Sequence, residues 1–134
     1  MLHKRIIIVG AGFAGLRLAQ DLRKSSYEVL LIDKNNYHQF QPLMYQVATA
    51  RLEPSSISFP LRKVFQYSKN VRIRIAEVLG VDTAAKMLKT DIGDYHYDYL
   101  VMAQGCKTNY FGNASLEKCA FPMKSVPEAL QLRN

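Results

Sequence analysis

Three glycines near the start of the chain have the spacing of a phosphate-binding loop. Gly10, Gly12 and Gly15 lie in the hexapeptide GAGFAG, which has the form G-x-G-x-x-G. In this pattern the first glycine allows a tight turn, the second lets the backbone approach a pyrophosphate, and the third lets a helix pack closely on a strand. Amides at the start of that helix hold the phosphates. The hexapeptide therefore predicts a dinucleotide site, with Phe13 and Ala14 as further contacts.

A carboxylate follows the loop where a ribose contact is expected. Asp33 ends the apolar run VLLID, about 20 residues beyond the glycines, and an acid at this place accepts hydrogen bonds from the adenosine ribose hydroxyls. Asp33 disfavours NADP, whose ribose phosphate would face a negative charge, although the adjacent Lys34 could reduce that repulsion. The motif does not distinguish FAD from NAD. A unit that merely packs through its glycines is the structural alternative.

The elements that must position these residues can be read from the flanking sequence. RIIIVG is a β-branched run that is too short for a helix and stops at glycine, which indicates a buried parallel strand. FAGLRLAQDLRKS has apolar residues at helical spacing, and YEVLLID is a second apolar strand. Strand, turn, helix and strand together occupy about 30 residues, the length of one βαβ unit.

The rest of the chain predicts further strands and a short helix. Pro60 is expected in the first turn of a helix in SISFPLRKVFQYS, and NVRIRI alternates apolar and basic residues as a half-exposed strand does. GVDTAAKMLKTDIGDYHY has two turn signals that indicate an antiparallel meander, with Tyr95, His96 and Tyr97 on its surface. YDYLVMAQG is a last apolar strand ending on glycine. The predicted fold is α/β, a Rossmann-like parallel sheet with helices and a small antiparallel meander.

Composition narrows the classes of partner. The chain has 134 residues, 49% of them hydrophobic, and a formal net charge of +7. Its basic residues are scattered, so a solvated surface is favoured over nucleic-acid binding. There is no signal-peptide pattern and no membrane span in the sequence, which predicts a soluble, cytoplasmic chain without membrane contact of its own. Cys106 and Cys119 have neither metal-ligand nor C-x-x-C spacing and are expected to be free thiols.

Four segments in this order resemble a known family. They are IIIVGAGFAGLRLAQDL, LIDKNNYHQFQPLMYQVATARLEPSSISFPLRKVF, EVLGVD and YDYLVMAQG. The sequence resembles the N-terminal part of type II NADH dehydrogenases, single-subunit flavoproteins that pass electrons from NADH to a quinone. These belong to the flavoproteins with two dinucleotide-binding folds. The segment NNYHQFQPLMYQVAT is the most specific part of the resemblance, because the glycine loop is shared by many unrelated proteins.

The resemblance implies roles for individual residues. The three glycines would face the FAD pyrophosphate and Asp33 the adenosine ribose, and Val78 would lie beside the adenine. The tripeptide AQG matches the family's A-T-G signature beneath the cofactor, with glutamine in place of threonine. The residues of this tripeptide are Ala103, Gln104 and Gly105. Near the isoalloxazine ring the resemblance places Gln41, Pro42, Leu43 and Tyr45. His38 is expected to be a hydrogen-bonded structural residue, and no general acid, general base or metal ligand is assigned.

The resemblance also implies that the chain is part of something larger. Residues 1–112 would form the FAD-binding portion, and residues 113–134 a connector and the start of a helix leading to an NADH domain. Ser125 and Glu128 have the spacing of a capping box at the start of that helix. NADH and a quinone would be partners of the parent enzyme, peripheral on the cytoplasmic face of the membrane. The chain alone is expected to be inactive, and self-association through exposed edges is left open.

The sequence is compatible with three other functions. A sulfide:quinone reductase-like flavoprotein would need cysteines beside the flavin, and neither Cys106 nor Cys119 lies in the glycine loop or in the segment after Asp33. A stand-alone FAD- or NAD-binding module without catalysis, able to self-associate, is the alternative from a different class. A nicotinamide-only Rossmann protein would leave NNYHQFQPLMYQVAT without a role.

Overall fold

The structure is a computed structural model that describes residues 3–134. Its strands are β1 Arg5–Val9, β2 Glu28–Asp33, β3 Tyr37–Gln39, β4 Ser58–Pro60, β5 Val71–Ile75, β6 Val78–Asp82, β7 Met87–Thr90, β8 Gly93–His96 and β9 Tyr99–Met102. Its α-helices are α1 Phe13–Asp21, α2 Met44–Ala48, α3 Leu61–Val64, α4 Ala114–Cys119 and α5 Val126–Arg133. Short 3₁₀ turns occupy Leu22–Lys24, Gln41–Leu43 and Pro54–Ser56.

The predicted parallel sheet is present. Within residues 3–134 it has four strands in the order β5-β2-β1-β9. Val9 at the end of β1 pairs with Ile32 on one side and Met102 on the other, and Asp33 pairs with Ile75. The carboxyl ends of all four strands therefore meet at one edge of the sheet. In open α/β sheets this edge is where ligands bind.

Alternating side chains of the central strands pack into two layers. Ile6 and Ile8 face a cluster that contains Ala19 of α1 and Leu61 of α3. Ile7 and Val9 face the opposite cluster, to which the meander contributes Leu88. The fully buried side chains of β1 are Ile7 and Ile8, and those of β2 are Val29, Leu31 and Ile32. The β-branched run in β1 is thus explained by burial on both faces, as the sequence predicted.

The predicted meander is also present, with one correction at its end. Strands β6, β7 and β8 form an antiparallel sheet, and β5 alternates buried and exposed residues as expected. Tyr97, however, is only 6% exposed and packs in the core, and Tyr95 is half-buried against the same core, so the prediction that these two residues lie on the meander surface was wrong. Pro60 precedes α3 as its N-cap residue and does not lie in the first turn.

By backbone contacts the described chain forms two compact units. The first contains the residues up to His38 and Pro60–Gly105, and the second contains Gln39–Phe59 and Cys106–Asn134. The core of the second unit is Met44 and Val47 of α2, Ile57, and Val126 and Ala129 of α5. The division at residue 112 that the sequence predicts for the parent protein stays a prediction.

Helix α5 begins as the sequence predicted. The hydroxyl of Ser125 accepts a hydrogen bond from the backbone N–H of Glu128, and the Glu128 carboxylate accepts one from the Ser125 N–H at 2.9 Å. This capping box satisfies amides that lack acceptors within the helix.

Cys106 and Cys119 are exposed free thiols. None of the helices in residues 3–134 is long and apolar enough to cross a membrane.

Candidate dinucleotide-binding site

The glycine loop connects β1 to α1 at the carboxyl edge of the sheet, and its glycines have different surroundings. Gly10 has a φ of +98°, and a Cβ there would overlap the backbone carbonyl of Ala103. A Cβ on Gly15 would overlap the carbonyl of Gly10. Both positions are filled by neighbouring backbone, which explains why no side chain can be accommodated.

Gly12 differs from the other two glycines because the space beside it is open. Its φ is −72°, which any residue can adopt, and a Cβ would have no atom within 4 Å. The packing of the protein therefore does not require a glycine at this position. The motif's second glycine serves close approach of a pyrophosphate to the backbone, and the open space beside Gly12 fits that purpose.

The start of α1 presents amides to the same space. Gly12 is the N-cap residue of α1 and has no side chain with which to accept hydrogen bonds from the first turn. The first N–H groups of a helix have no acceptor within the helix. Together with the positive end of the helix dipole they attract an anion. Phe13 and Ala14, which the sequence predicted as contacts, are exposed in this first turn.

Asp33 is held at the end of β2 by two backbone amides. Its Oδ2 accepts a hydrogen bond from the Ala11 N–H at 2.7 Å, and its Oδ1 accepts one from the Asn35 N–H at 2.7 Å. An ionised carboxylate has about four acceptor sites, so about half of them remain for ribose hydroxyls. The geometry fits an adenosine ribose beside the loop. Lys34, next in the chain, is exposed.

The predicted AQG segment lies against the loop. The carbonyl carbon of Ala103 and the Cα of Gln104 would be 2.6 and 2.7 Å from a Cβ on Gly10. Gly105 has a φ of +74°, which favours glycine. The structure thus brings the loop and this segment together. The glutamine that replaces the family's threonine is exposed.

Val78 is placed by the strand pairing. It lies three residues after Ile75, the partner of Asp33, and the Ala76 N–H donates to the Asp33 carbonyl at 3.0 Å. Its side chain is half-buried against the core of the first unit. The start of β6 is therefore tied to the end of β2, where the adenosine contact is predicted.

The four residues predicted near the flavin ring belong to the second unit. Gln41 donates from Nε2 to the Lys124 carbonyl at 3.1 Å, Leu43 packs against the core of that unit, and Pro42 and Tyr45 are exposed. The segment is thus amphipathic, with Met44 and Val47 fully buried. Contact of the exposed residues with a flavin stays a prediction.

His38 is hydrogen bonded, as predicted. Its Nδ1 lies 2.8 Å from the Ala11 carbonyl oxygen, and the residue is 5% exposed. Sequence reasoning did not select Ala11, although both its N–H and its carbonyl are hydrogen bonded to side chains, because an alanine has no chemical group that signals such a role.

Comparison with known proteins identifies the family. The model of the pyridine nucleotide-disulphide oxidoreductase family matches residues 4–134. The chain belongs to this family. The fold class predicted from the sequence is confirmed, and so is the resemblance to type II NADH dehydrogenases, because curated proteins of that kind match over most of this chain.

Individual members of this family show what the chain is similar to. It is 38% identical over 133 residues to the type II NADH:quinone oxidoreductase NdhA of Mycobacterium tuberculosis, a match that covers 96% of this chain and 28% of that protein. The structure of NDH2 from Plasmodium falciparum has a TM-score of 0.89 at 26% identity, over 98% of this chain and 28% of the other. The sulfide:quinone oxidoreductase of Aquifex aeolicus has a TM-score of 0.88 at 26% identity, over 97% and 30%.

The chain corresponds to only part of each of these proteins. It spans less than a third of the length of all three relatives. Similarity over this portion shows the family and the fold of the portion.

Proposed function

We propose that this chain is the FAD-binding portion of a type II NADH dehydrogenase, which transfers hydride from NADH to FAD and electrons on to a quinone. The reaction is proposed from the type II NADH:quinone oxidoreductases that match over 92–97% of the chain. The observation that carries the cofactor site is the glycine loop. Packing fills the spaces beside Gly10 and Gly15 and leaves the space beside Gly12 open.

The residues of the first unit would hold the nucleotide half of the cofactor. The Gly12 amide and the first turn of α1 would bind the pyrophosphate, and Asp33 would accept hydrogen bonds from the adenosine ribose. Val78 would lie beside the adenine. Ala103, Gln104 and Gly105 would pass beneath the cofactor at the end of β9. This assignment rests on the shared carboxyl edge of the sheet and on the contact of the loop with Ala103.

The flavin end of the site is proposed from the sequence resemblance alone. Gln41, Pro42, Leu43 and Tyr45 combine apolar surface with an amide, which suits a site that excludes water and fixes orientation. Bound FAD would supply the hydride-accepting and electron-transferring chemistry. The protein would contribute binding, orientation and polarity, so no side chain is assigned as a general acid or base.

The other partners belong to the parent enzyme. NADH and a quinone would be its substrates, and we place it on the cytoplasmic face of the membrane as a peripheral protein. Self-association of the chain is proposed through the strands at the two edges of the sheet, β5 and β9. Edge strands present unpaired backbone groups to a second chain.

The visible absorption spectrum of the purified chain tests the cofactor site. After addition of FAD and removal of the excess by desalting, the flavin bands should remain with the protein. The same preparation should oxidise NADH in the presence of a soluble quinone no faster than free FAD does, because the chain has a single glycine fingerprint. A protein that retains no FAD at micromolar concentration would contradict the proposed site.

A sulfide:quinone reductase is the second candidate, because the structure of such an enzyme matches as well as NDH2 does. That chemistry would require cysteines beside the flavin. Cys106 and Cys119 both lie in the second unit and are exposed. Addition of sulfide to the FAD-loaded chain without oxygen should leave the flavin bands unchanged. Bleaching that is lost when both cysteines are replaced by serine would favour the sulfide reaction.

A further inference from the structure

The residue between the first two glycines of the loop is held from both sides. The Ala11 N–H donates to Oδ2 of Asp33 at 2.7 Å. The Ala11 carbonyl lies 2.8 Å from Nδ1 of His38. A carbonyl oxygen can only accept, so Nδ1 of His38 carries the hydrogen. Two side chains that follow β1 by more than twenty residues thus fix the backbone of one loop residue.

This arrangement determines where the next amide points. The carbonyl of Ala11 and the N–H of Gly12 belong to one peptide plane, and in a trans peptide they point in opposite directions. The hydrogen bond turns the carbonyl toward His38 in the protein interior. The Gly12 N–H is therefore turned away from His38.

The imidazole is itself held in place. His38 is 5% exposed, and its ring meets the Phe13 ring edge to face, with centroids 5.3 Å apart and an interplanar angle of 79°. Burial and this ring contact restrict the imidazole of His38 to one orientation, so its N–H points in a fixed direction. A buried donor is also costly to leave unpaired, so the hydrogen bond to Ala11 persists when no ligand is bound.

We propose that His38 is a positioning residue for the phosphate-binding loop: it orients the Ala11–Gly12 peptide so that the Gly12 N–H faces the pyrophosphate of a bound dinucleotide. This inference rests on the proposed FAD site. His38 does not touch the reacting atoms in this role. It acts on affinity through the backbone of the loop, with the orientation set before the ligand arrives.

Two substitutions of different chemistry test the role. His38→Leu removes the donor and keeps an apolar side chain of moderate size. His38→Asn places an amide N–H where Nδ1 of histidine lies. FAD affinity, measured by quenching of flavin fluorescence, should fall about tenfold in His38→Leu, because a hydrogen bond of this kind is worth about one factor of ten. In His38→Asn it should stay within about threefold of the wild type.

A ligand series shows whether the effect passes through the phosphates. ADP contains the pyrophosphate and the ribose, whereas adenosine contains the ribose alone. His38→Leu should weaken the competition of ADP with FAD by the same factor and leave the competition of adenosine unchanged. His96→Leu is the matched control, since His96 is exposed on β8, and it should leave all three affinities unchanged. Thermal melts of the ligand-free variants report whether the fold is retained.

The outcomes separate this inference from the proposed function. If the wild type binds neither FAD nor ADP, the cofactor site and the role of His38 are both wrong. If the wild type binds both and folded His38→Leu binds them equally well, only the role of His38 is wrong. If His38→Leu weakens the binding of adenosine as much as that of ADP, the proposed role of His38 is also wrong. Should His38→Leu fail to fold, a folded His38→Asn that binds FAD about tenfold more weakly overturns the inference, and retained affinity supports it.

Discussion

At the scale of single residues, the three glycines of the loop have different roles although they form one motif. Gly10 and Gly15 are glycines because neighbouring backbone occupies the space of a side chain. Gly12 has open space and an ordinary backbone conformation. The structural and the ligand-binding parts of the motif can therefore be separated by experiment, which sequence alone does not allow.

Substitution of Gly12 by alanine should affect binding and leave the fold intact. The added methyl group meets no protein atom within 4 Å, but alanine is a poorer N-cap residue than glycine, so the thermal midpoint of the ligand-free protein should fall by no more than about 4 °C, equivalent to about 1 kcal/mol. The methyl group would occupy the space through which a pyrophosphate approaches. FAD affinity, measured by fluorescence quenching, should therefore fall at least about tenfold, equivalent to about 1.4 kcal/mol.

Substitution of Gly15 by alanine is the matched control. Alanine in place of glycine inside a helix usually stabilises it by about 1 kcal/mol. In α1 the methyl group would overlap the Gly10 carbonyl. The cost of this overlap should exceed the gain in helix propensity, so Gly15→Ala should lower the thermal midpoint of the ligand-free protein. If Gly12→Ala lowers the thermal midpoint as much as Gly15→Ala does, the separation of the two roles is wrong.

At the scale of elements, the sequence predicts those that carry their own signal. The βαβ unit that contains Gly10 to Asp33 is predictable because its burial on both faces demands apolar, β-branched strands. The meander is predictable from its turn residues and the period of two. The start of α5 is predictable because Ser125 and Glu128 form their hydrogen bonds within four residues of chain.

The missed elements are short, and the two missed strands depend on partners distant in the sequence. Strands β3 and β4 have three residues each, and they form only because they pair with one another. Helix α4 has six residues and was missed although its cap is local: the side chain of its N-cap residue, Asn113, accepts a hydrogen bond from the Leu116 N–H at 3.0 Å. Short elements of this kind carry too few residues for periodicity to be visible. The burial of Tyr97 was mispredicted for a related reason. Tyr97 follows β8, and the alternation of residues within a strand does not predict which residue after its end packs on the sheet.

Part of the candidate site was equally predictable. Spacing alone identified the loop and Asp33, because their chemistry is local and their separation is fixed by one βαβ unit. The hydrogen bonds that hold Ala11 were not predictable, because they depend on the register of β1 with β2 and on the short strand that contains His38. A second layer of contacts around a motif is set by tertiary packing and is seen only in the structure.

The capping box of α5 gives a prediction for one element. Ser125→Ala should lower the free energy of unfolding by about 1 kcal/mol, because the first-turn amide of Glu128 loses its acceptor. The loss stays moderate because the Glu128 carboxylate keeps its bond to the Ser125 backbone, and Gln39 Oε1 still accepts from the Val126 N–H at 3.1 Å. Urea unfolding, monitored by far-ultraviolet circular dichroism, measures this change in the free energy of unfolding.

A second serine provides the comparison. Ser115 is exposed in α4, whose N-cap is Asn113, so Ser115→Ala should change the free energy of unfolding by less than about 0.5 kcal/mol. Equal effects of the two substitutions would show that the capping box does not stabilise α5 in solution.

At the scale of the whole molecule, ligand binding and stability are linked. A ligand that binds the folded chain and not the unfolded chain stabilises it by an amount that depends on its concentration relative to the dissociation constant. The predicted contacts of the nucleotide join the loop after β1, the end of β2 and the segment after β9. These segments are distant in sequence and are present together only in the folded first unit, so binding to the unfolded chain should be weak.

FAD should therefore raise the thermal midpoint of the chain. At a concentration one hundred times the dissociation constant the gain is about 2.7 kcal/mol, and at roughly 4 °C per kcal/mol for a chain of this size the shift should be on the order of 10 °C. Because the chain forms two compact units, the shift applies to the transition in which the first unit unfolds. Differential scanning calorimetry with increasing FAD measures it, and the weaker binding of Gly12→Ala should reduce the shift to about half or less at the same concentration. A midpoint independent of FAD would show that these segments form a fold without a nucleotide site, as expected of a unit that packs only through its glycines.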